Sequence, residues 1–150
     1  MAERPLKVFG RSLPMSLLRT RETVVQQFRQ VLRRHGLNEP QWRVLRVLAE
    51  LPEVTATALA RETAILSPSL SRMLVAMEAR GLIQRKPGTL DQRQTLVSMA
   101  PAGRELFSRV APEVEGVYVL LARAFGRDRL ERLHAELEAL RQALRKPPAP

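Results

Sequence analysis

The sequence predicts a mainly helical fold that contains one β-hairpin, and two observations support this prediction. Apolar residues recur at helical spacing along most of the 150-residue chain, as they do in amphipathic helices. Between residues 82 and 99 the pattern changes to two short strands separated by a loop rich in turn-forming residues. Hydrophobic residues make up 45% of the chain, which favours a packed core over a disordered polymer.

The first two helices are predicted from their ends. Ser12 can cap a first helix that has proline in its first turn and ends at Gly36. Asn38 opens a second helix, because Gln41 follows it at the spacing of a capping box, and Pro52 ends that helix. The apolar residues that recur along the first helix are Leu17, Val24, Val25, Phe28, Val31 and Leu32.

Two shorter helices follow. Thr55 is predicted to cap the third helix. The fourth helix has Ser67 at its cap, Pro68 at its first helical position and Gly81 at its end. The residues that we expect these two helices to bury are Ala58, Leu59, Ile65, Leu70, Met73, Leu74 and Met77.

The rest of the chain is predicted to form the hairpin and two long helices. Residues 82–86 and 94–99 fit strands, and residues 87–93 fit the loop between them. A fifth helix starts near Pro101 and ends at Gly126. Leucines of the last helix alternate in steps of three and four, which is a coiled-coil seam and predicts a homodimer: Leu130, Leu133, Leu137, Leu140 and Leu144.

Two short helices followed by a β-hairpin are typical of a winged helix-turn-helix, whose second helix enters the major groove of DNA. The fourth helix would turn its small and polar residues outward, and Arg72 is the residue that we expect to read base edges. Ser67, Ser69 and Ser71 suit phosphate groups, because the helix N-terminus adds partial positive charge there.

The hairpin adds basic residues to this surface. We expect Arg85, Lys86 and Arg93 to bind DNA. Asp91 is expected either to accept hydrogen bonds from the loop backbone or to brace the Arg93 side chain so that it can insert into a minor groove. The net charge of +10 favours a polyanionic partner. Each feature alone also fits a solvated surface, but their order favours double-stranded DNA. The alternatives are a ligand-independent architectural DNA-binding protein and a dimeric protein-interaction module whose hairpin contacts acidic protein.

The predicted elements divide the chain into regions. We expect residues 37–100 to form the winged helix-turn-helix lobe, and residues 1–36 and 101–146 to form a helical dimerisation region. Residues 1–11 fit a loose arm, and residues 147–150 fit a frayed tail because proline cannot continue the preceding helix.

Several classes of protein are disfavoured. The absence of cysteine excludes disulfides, thiolate metal sites and thiol-based peroxide sensors. The chain has two histidines about a hundred residues apart, and it has no glycine-rich phosphate loop and no nucleophile elbow. We therefore expect no enzyme, no catalytic residues, no cofactor and no metal. With no secretory signal pattern and no apolar run of about 18 residues, a cytoplasmic protein without a membrane partner is expected.

The motifs resemble those of the MarR family of bacterial transcription regulators. The segments that carry this resemblance are 37–45, 57–60, 67–72, 77–83, 91–94 and 101–103. Ala100 stands where the family pattern has a capping threonine, which should loosen the start of the fifth helix. Residues 11–22 further resemble a branch that represses the catabolism of an aromatic acid. The resemblance implies a homodimer of interleaved terminal helices and repression that is relieved by a small aromatic anion.

Five residues are candidates for binding such an effector: Ser12, Met15, Arg19, His35 and Trp42. Arg19 can pair with a carboxylate bidentately or form an interfacial salt bridge, for example to Glu22 or to an acidic residue of a partner subunit, and the sequence leaves both open. Trp42 and Met15 can form apolar walls, although a lone tryptophan at core spacing more often packs. His35 or Ser12 can meet a ring hydroxyl, although both also fit helix-capping roles.

Overall fold

The computed structural model describes residues 12–145 and confirms the mainly helical fold. The expectations for residues 1–11 and 147–150 lie outside these residues. The described chain divides into two compact units, one ending at Glu113 and the other beginning at Val114. Its elements, in chain order, are α1 (Leu13–Arg34), α2 (Glu39–Glu50), β1 (Glu53–Thr55), α3 (Ala56–Thr63), α4 (Ser67–Ala79), β2 (Ile83–Pro87), β3 (Thr95–Met99), α5 (Pro101–Phe125) and α6 (Arg127–Arg145).

The predicted ends of the first two helices are confirmed. The Ser12 hydroxyl accepts the backbone N–H of Met15 at 3.3 Å, so it caps α1. Gly36 follows the end of α1 with a φ of 66°, a left-handed conformation that suits glycine. Asn38 and Gln41 form the capping box of α2, with bonds of 2.9 and 3.1 Å.

The predicted cap of α4 is wrong. Thr55 caps α3 as expected, by accepting the N–H of Ala58 at 3.1 Å. However, α4 begins at Ser67, and its cap residue is Leu66, whose side chain makes no capping hydrogen bond. Leu66 has an extended backbone while its carbonyl already accepts the N–H of Leu70, so the helix starts one residue earlier than predicted. The proline at the second helical position stabilises this start instead.

The expectation of a single hairpin is incomplete, because the sheet has a third strand. The strand order is β1-β3-β2, and both pairs are antiparallel. Val97 of the central strand β3 therefore pairs with Val54 of β1 on one side and with Arg85 of β2 on the other. A strand of three residues is too short to show an alternating pattern, and only its pairing with β3 reveals it.

The core of the first unit joins the helices to the sheet. Its fully buried side chains include Leu32, Leu45, Leu59, Leu70, Leu74, Met77, Ile83 and Val97. The apolar pattern of α1 is buried only in part, because Phe28, Val31 and Leu32 are buried whereas Leu17 and Val24 are exposed. Ile65 and Ala58 are half-buried.

The second unit comprises the C-terminal end of α5 and all of α6. Gly126 separates the two helices with a φ of 99°, and the Arg129 guanidinium lies 4.2 Å from the ring centre of Phe125. No residue of α6 is buried, and its Leu133 and Leu144 are exposed. No helix within residues 12–145 is both long enough and apolar enough to cross a membrane.

Candidate nucleic-acid interface

Helix α4 has one buried face and one exposed polar face, as predicted. Leu70, Leu74 and Met77 are buried within the first unit, and Met73 is half-buried. The residues that α4 exposes include Ser67, Pro68, Ser69, Ser71, Arg72, Ala76 and Ala79. Its exposed side chains are therefore short apart from Arg72, Val75 and the neighbouring Leu66. A helix surface of this kind fits the width of a major groove.

Arg72 is available to an outside partner. Among residues 12–145, no hydrogen bond or ion pair involves its guanidinium group. It contributes to the lining of an open groove of about 560 Å³ beside α4, together with Ser69 of the same helix and Gln41 and Arg43 of α2. An exposed guanidinium with free donors can form the two parallel hydrogen bonds that recognise guanine.

The tip of the wing, between β2 and β3, is a tight turn that leaves Arg93 exposed. Asp91 accepts the backbone N–H of Arg93 through its side chain at 3.0 Å and the N–H of Gln94 through its carbonyl at 3.1 Å. Of the two roles predicted for Asp91, the structure thus has the first, in which its side chain accepts a hydrogen bond from the loop backbone. Gly88 is required here, because a Cβ atom on it would lie 2.4 Å from the Asp91 carbonyl oxygen.

The other two basic residues of the hairpin have partners within the chain. Arg85 donates to Glu78 through its backbone N–H and its guanidinium, both at 2.9 Å. This hydrogen bonding lowers the pKa of Glu78. The Lys86 ammonium lies 2.6 Å from a carboxylate oxygen of Glu53 on β1. Arg85 therefore joins the wing to α4, and Lys86 spans the sheet, whereas Arg72 and Arg93 are left for a partner.

Sequence reasoning missed both acidic partners. Glu53 precedes Lys86 by more than thirty residues, and it belongs to the short strand that the pattern did not reveal. Glu78 and Arg85 are separated by a helix end and a turn, so no periodic spacing relates them. Only the tertiary fold shows that part of the predicted basic surface is internally neutralised.

The predicted effector residues have individual surroundings. Trp42 is 5% exposed and stacks on Phe107, with ring centres 5.0 Å apart. His35 Nε2 lies 2.7 Å from a carboxylate oxygen of Glu113. Ser12 is the cap described above, and Met15 is half-buried.

Arg19 is exposed on α1, and the salt bridge to Glu22 that was one alternative for it is not formed. Glu22 instead accepts two hydrogen bonds from Arg29, at 2.6 and 3.0 Å, and these bonds lower the pKa of Glu22. Among residues 12–145, no ion pair or side-chain hydrogen bond occupies the Arg19 guanidinium.

The described residues contain no cluster of histidine and acidic side chains of the kind that binds metal ions. Within residues 12–145, no group of three or more histidine and acidic side chains could hold a metal ion together. The arrangement instead presents a polar helix face and a basic wing tip.

Sequence comparisons decide the family of this fold. A model of the MarR family matches residues 35–94. The homoprotocatechuate degradative operon repressor of Escherichia coli is 36% identical over 127 residues, covering 85% of this chain and 86% of the relative. This chain belongs to the MarR family. The resemblance inferred from the motifs is confirmed, as is its similarity to the branch containing that repressor.

Two solved MarR-like structures extend the comparison. NadR in complex with 4-hydroxyphenylacetate has a TM-score of 0.77 and 29% identity, covering 93% of this chain and 97% of that one. The transcriptional repressor CouR, bound to a 23-mer DNA duplex, has a TM-score of 0.80 and 26% identity, covering 93% of this chain and 99% of that one. The chain is therefore a MarR-family transcriptional regulator with a winged helix-turn-helix fold.

Proposed function

We propose that this protein is a homodimeric repressor of an aromatic-acid catabolic operon, and that an aromatic carboxylate releases it from operator DNA. The observation that carries the proposal is the exposed face of α4, where Arg72 has no partner within residues 12–145, together with the wing tip that exposes Arg93. CouR, a relative of the same fold, was solved on a DNA duplex, which supports DNA as the partner.

The two arginines are expected to bind DNA differently. Arg72→Ala should weaken binding to a duplex selected from a random pool by about 1–3 kcal/mol and relax one base position, because it removes a base contact. Arg93→Ala should weaken binding to most duplexes and flatten the salt dependence, because its expected target is the minor groove and backbone. Fluorescence anisotropy at several salt concentrations measures both effects.

A matched control is available for these variants. Arg61 is also exposed, but it pairs with Glu62 next to it on α3, so Arg61→Ala should leave affinity nearly unchanged. Wild-type affinity in both the Arg72→Ala and Arg93→Ala proteins would show that the recognition surface lies elsewhere. Complex formation with acidic protein that competing duplex DNA does not reduce would favour the protein-interaction module.

The dimer is supported by exposed apolar side chains on the terminal helices. Leu17 and Leu18 on α1 and Leu120 on α5 are exposed in the single chain, as are Leu133 and Leu144 on α6. A twofold dimer should read a pseudo-palindrome whose half-sites are about one helical turn, roughly 10 bp, apart. Light scattering that shows a monomer at micromolar concentration would contradict this assembly.

The effector is proposed to be a hydroxylated phenylacetate, because NadR was solved with 4-hydroxyphenylacetate and a relative represses homoprotocatechuate degradation. In this hypothesis Arg19 holds the carboxylate, Met15 and Trp42 supply apolar walls, and Ser12 or His35 meets a ring hydroxyl. Arg19 is suited to the role because no partner within the described residues occupies its guanidinium.

The effector hypothesis is tested with 4-hydroxyphenylacetate and homoprotocatechuate. Either compound should raise the apparent melting temperature and lower operator affinity, because it must prefer a conformation that misfits the operator. Arg19→Ala should abolish this response while operator affinity is retained. Release of the variant by the same compound would exclude Arg19 as the anchor, and loss of DNA binding would support its role in an interfacial salt bridge.

A further inference from the structure

The turn between α3 and α4 is tied to α2 by one arginine. Arg43 Nη1 donates to the backbone carbonyl of Thr63 at 2.5 Å, and Thr63 is the last residue of α3. Carbonyl groups at the end of a helix have no partner within the helix and carry partial negative charge. A guanidinium is therefore a strong partner for this carbonyl, and the bond fixes the end of α3 to α2.

Arg43 is itself held in place by Glu39, one turn earlier on α2. Arg43 Nε lies 3.0 Å from Glu39 Oε1, and the two side chains are only 29% and 18% exposed. The Nε–H is not aligned for a hydrogen bond, so this contact is an ion pair in a partly desolvated setting. The other oxygen of Glu39 accepts from Arg21 of α1 at 3.1 Å. A continuous polar chain thus joins α1, α2 and the end of α3.

The end of α3 determines where α4 begins, because the turn between them is short. Only residues 64–66 separate the two helices. Ala64 has a left-handed backbone with a φ of 51°, which costs energy for any residue with a Cβ atom. The N–H of Ile65 returns to the carbonyl of Ala60 at 3.2 Å. Because this turn is short and hydrogen-bonded, a displacement of the Thr63 carbonyl also displaces the first turn of α4.

We propose that Arg43, held by Glu39, is a positioning residue for DNA recognition, because it anchors the Thr63 carbonyl and so places α4. This inference rests on the proposed function, in which α4 reads the operator. Arg43 is committed to Thr63 and Glu39, so it acts on DNA through the helix and not by direct contact. Arg43 itself and Ala64, the residue after Thr63, line the open groove along α4, so water can enter the space that the guanidinium leaves when Arg43 is removed. Loss of the arginine then loosens the turn without unfolding the lobe.

The test compares variants for two kinds of DNA. Duplex selected by the wild-type protein from a random pool serves as the operator, and a scrambled duplex of equal length measures non-specific binding. Arg43→Ala should lower operator affinity about tenfold and change non-specific affinity less than about twofold, because a misplaced helix loses base contacts and keeps most phosphate contacts. Arg43→Lys should recover part of the loss, because lysine can still donate to Thr63 but cannot also engage Glu39 with the same fork.

One further measurement, amide hydrogen exchange, and two further variants make the test decisive. Amide hydrogen exchange at Ala64 and Ile65 should quicken in Arg43→Ala, whereas Arg61→Ala, on the exposed side of α3, should change neither exchange nor affinity. If Arg43→Ala does not fold, Glu39→Gln is the alternative variant, because it keeps the size of the side chain and removes the charge that holds Arg43. It should weaken binding to the operator more than binding to the scrambled duplex.

The results that overturn the proposal are distinct from one another. Unchanged operator affinity in Arg43→Ala shows that Arg43 does not position α4. An equal loss on both duplexes, with unchanged amide exchange, shows that Arg43 is a phosphate contact. Wild-type protein that selects no duplex from the pool overturns the proposed function, and this role with it.

Discussion

The first unit of the chain and the second unit contain similar helical patterns of leucine, but they bury them to different extents. In the first unit, Leu70 and Leu74 of α4 are each only 2% exposed, and residues of α2, α3 and the sheet are buried to a similar extent. In the second unit, α6 buries no residue, and its Leu133 and Leu144 remain exposed. A periodic apolar pattern therefore predicts that one face of a helix is buried, but it does not show whether residues of the same chain or of a second chain bury it.

This difference follows from the number of elements that surround each helix. Helix α4 packs against α3 and the sheet, so a single chain provides enough apolar surface to bury the apolar face of α4. The second unit consists of α6 and the C-terminal part of α5, and two helical segments cannot enclose each other's apolar faces. A second copy of the chain would supply the missing layer, which is the physical argument for the proposed dimer.

The largest expected effect is at the centre of the α6 seam. Leu137→Glu should dissociate or unfold the protein, because a charge placed in the predicted dimer contact would be desolvated without a partner, at a cost of about 3–5 kcal/mol. Size-exclusion chromatography with light scattering measures the change. Glu131→Lys, at an exposed position of the same helix, should leave the assembly intact. A Leu137→Glu protein that remains an unaltered dimer would remove α6 from the interface.

A smaller effect is expected in the core of the first unit, where the apolar side chains are buried by residues of the same chain. Leu74→Ala should lower the free energy of unfolding by about 2–5 kcal/mol, because it leaves a cavity in a packed core. The next residue is the control: Val75 is 53% exposed, and Val75→Ala should cost less than about 0.5 kcal/mol. Denaturation with urea measures both. Equal costs would mean that the two faces of α4 are not distinguished as described.

The smallest effect concerns the turn before α4. Ala64→Gly should raise the stability of the protein by up to about 1 kcal/mol, because glycine adopts the left-handed conformation without the Cβ penalty. The same replacement in the middle of α4, Ala76→Gly, should lower stability by about 1 kcal/mol. Thermal unfolding of the pair gives the comparison. A destabilised Ala64→Gly variant would show that the strain at Ala64 is smaller than the conformational entropy that glycine adds to the unfolded chain.

Much of the fold could be predicted from the sequence, because its signals are local. The caps at Ser12, Asn38 and Thr55 depend on residues within one turn of the helix ends, and the structure has all three. The polar outer face of α4 also follows from periodicity alone, because the buried residues determine which side remains outside. These features need no knowledge of what lies next to each element in space.

The candidate site was predicted less completely, because charge pairing is not local. Arg72, Arg85, Lys86 and Arg93 are all basic residues of one predicted surface, but Glu78 and Glu53 pair with Arg85 and Lys86. In the part of the chain that the structure describes, the guanidinium groups of Arg72 and Arg93 have no such partner. The bond from Arg43 to the Thr63 carbonyl was invisible for the same reason, since it joins residues twenty positions apart on different helices. Periodicity and composition thus determined the elements and the sign of the surface charge. Only the tertiary structure decided which charges face a partner, because an ion pair forms wherever folding brings opposite charges into contact.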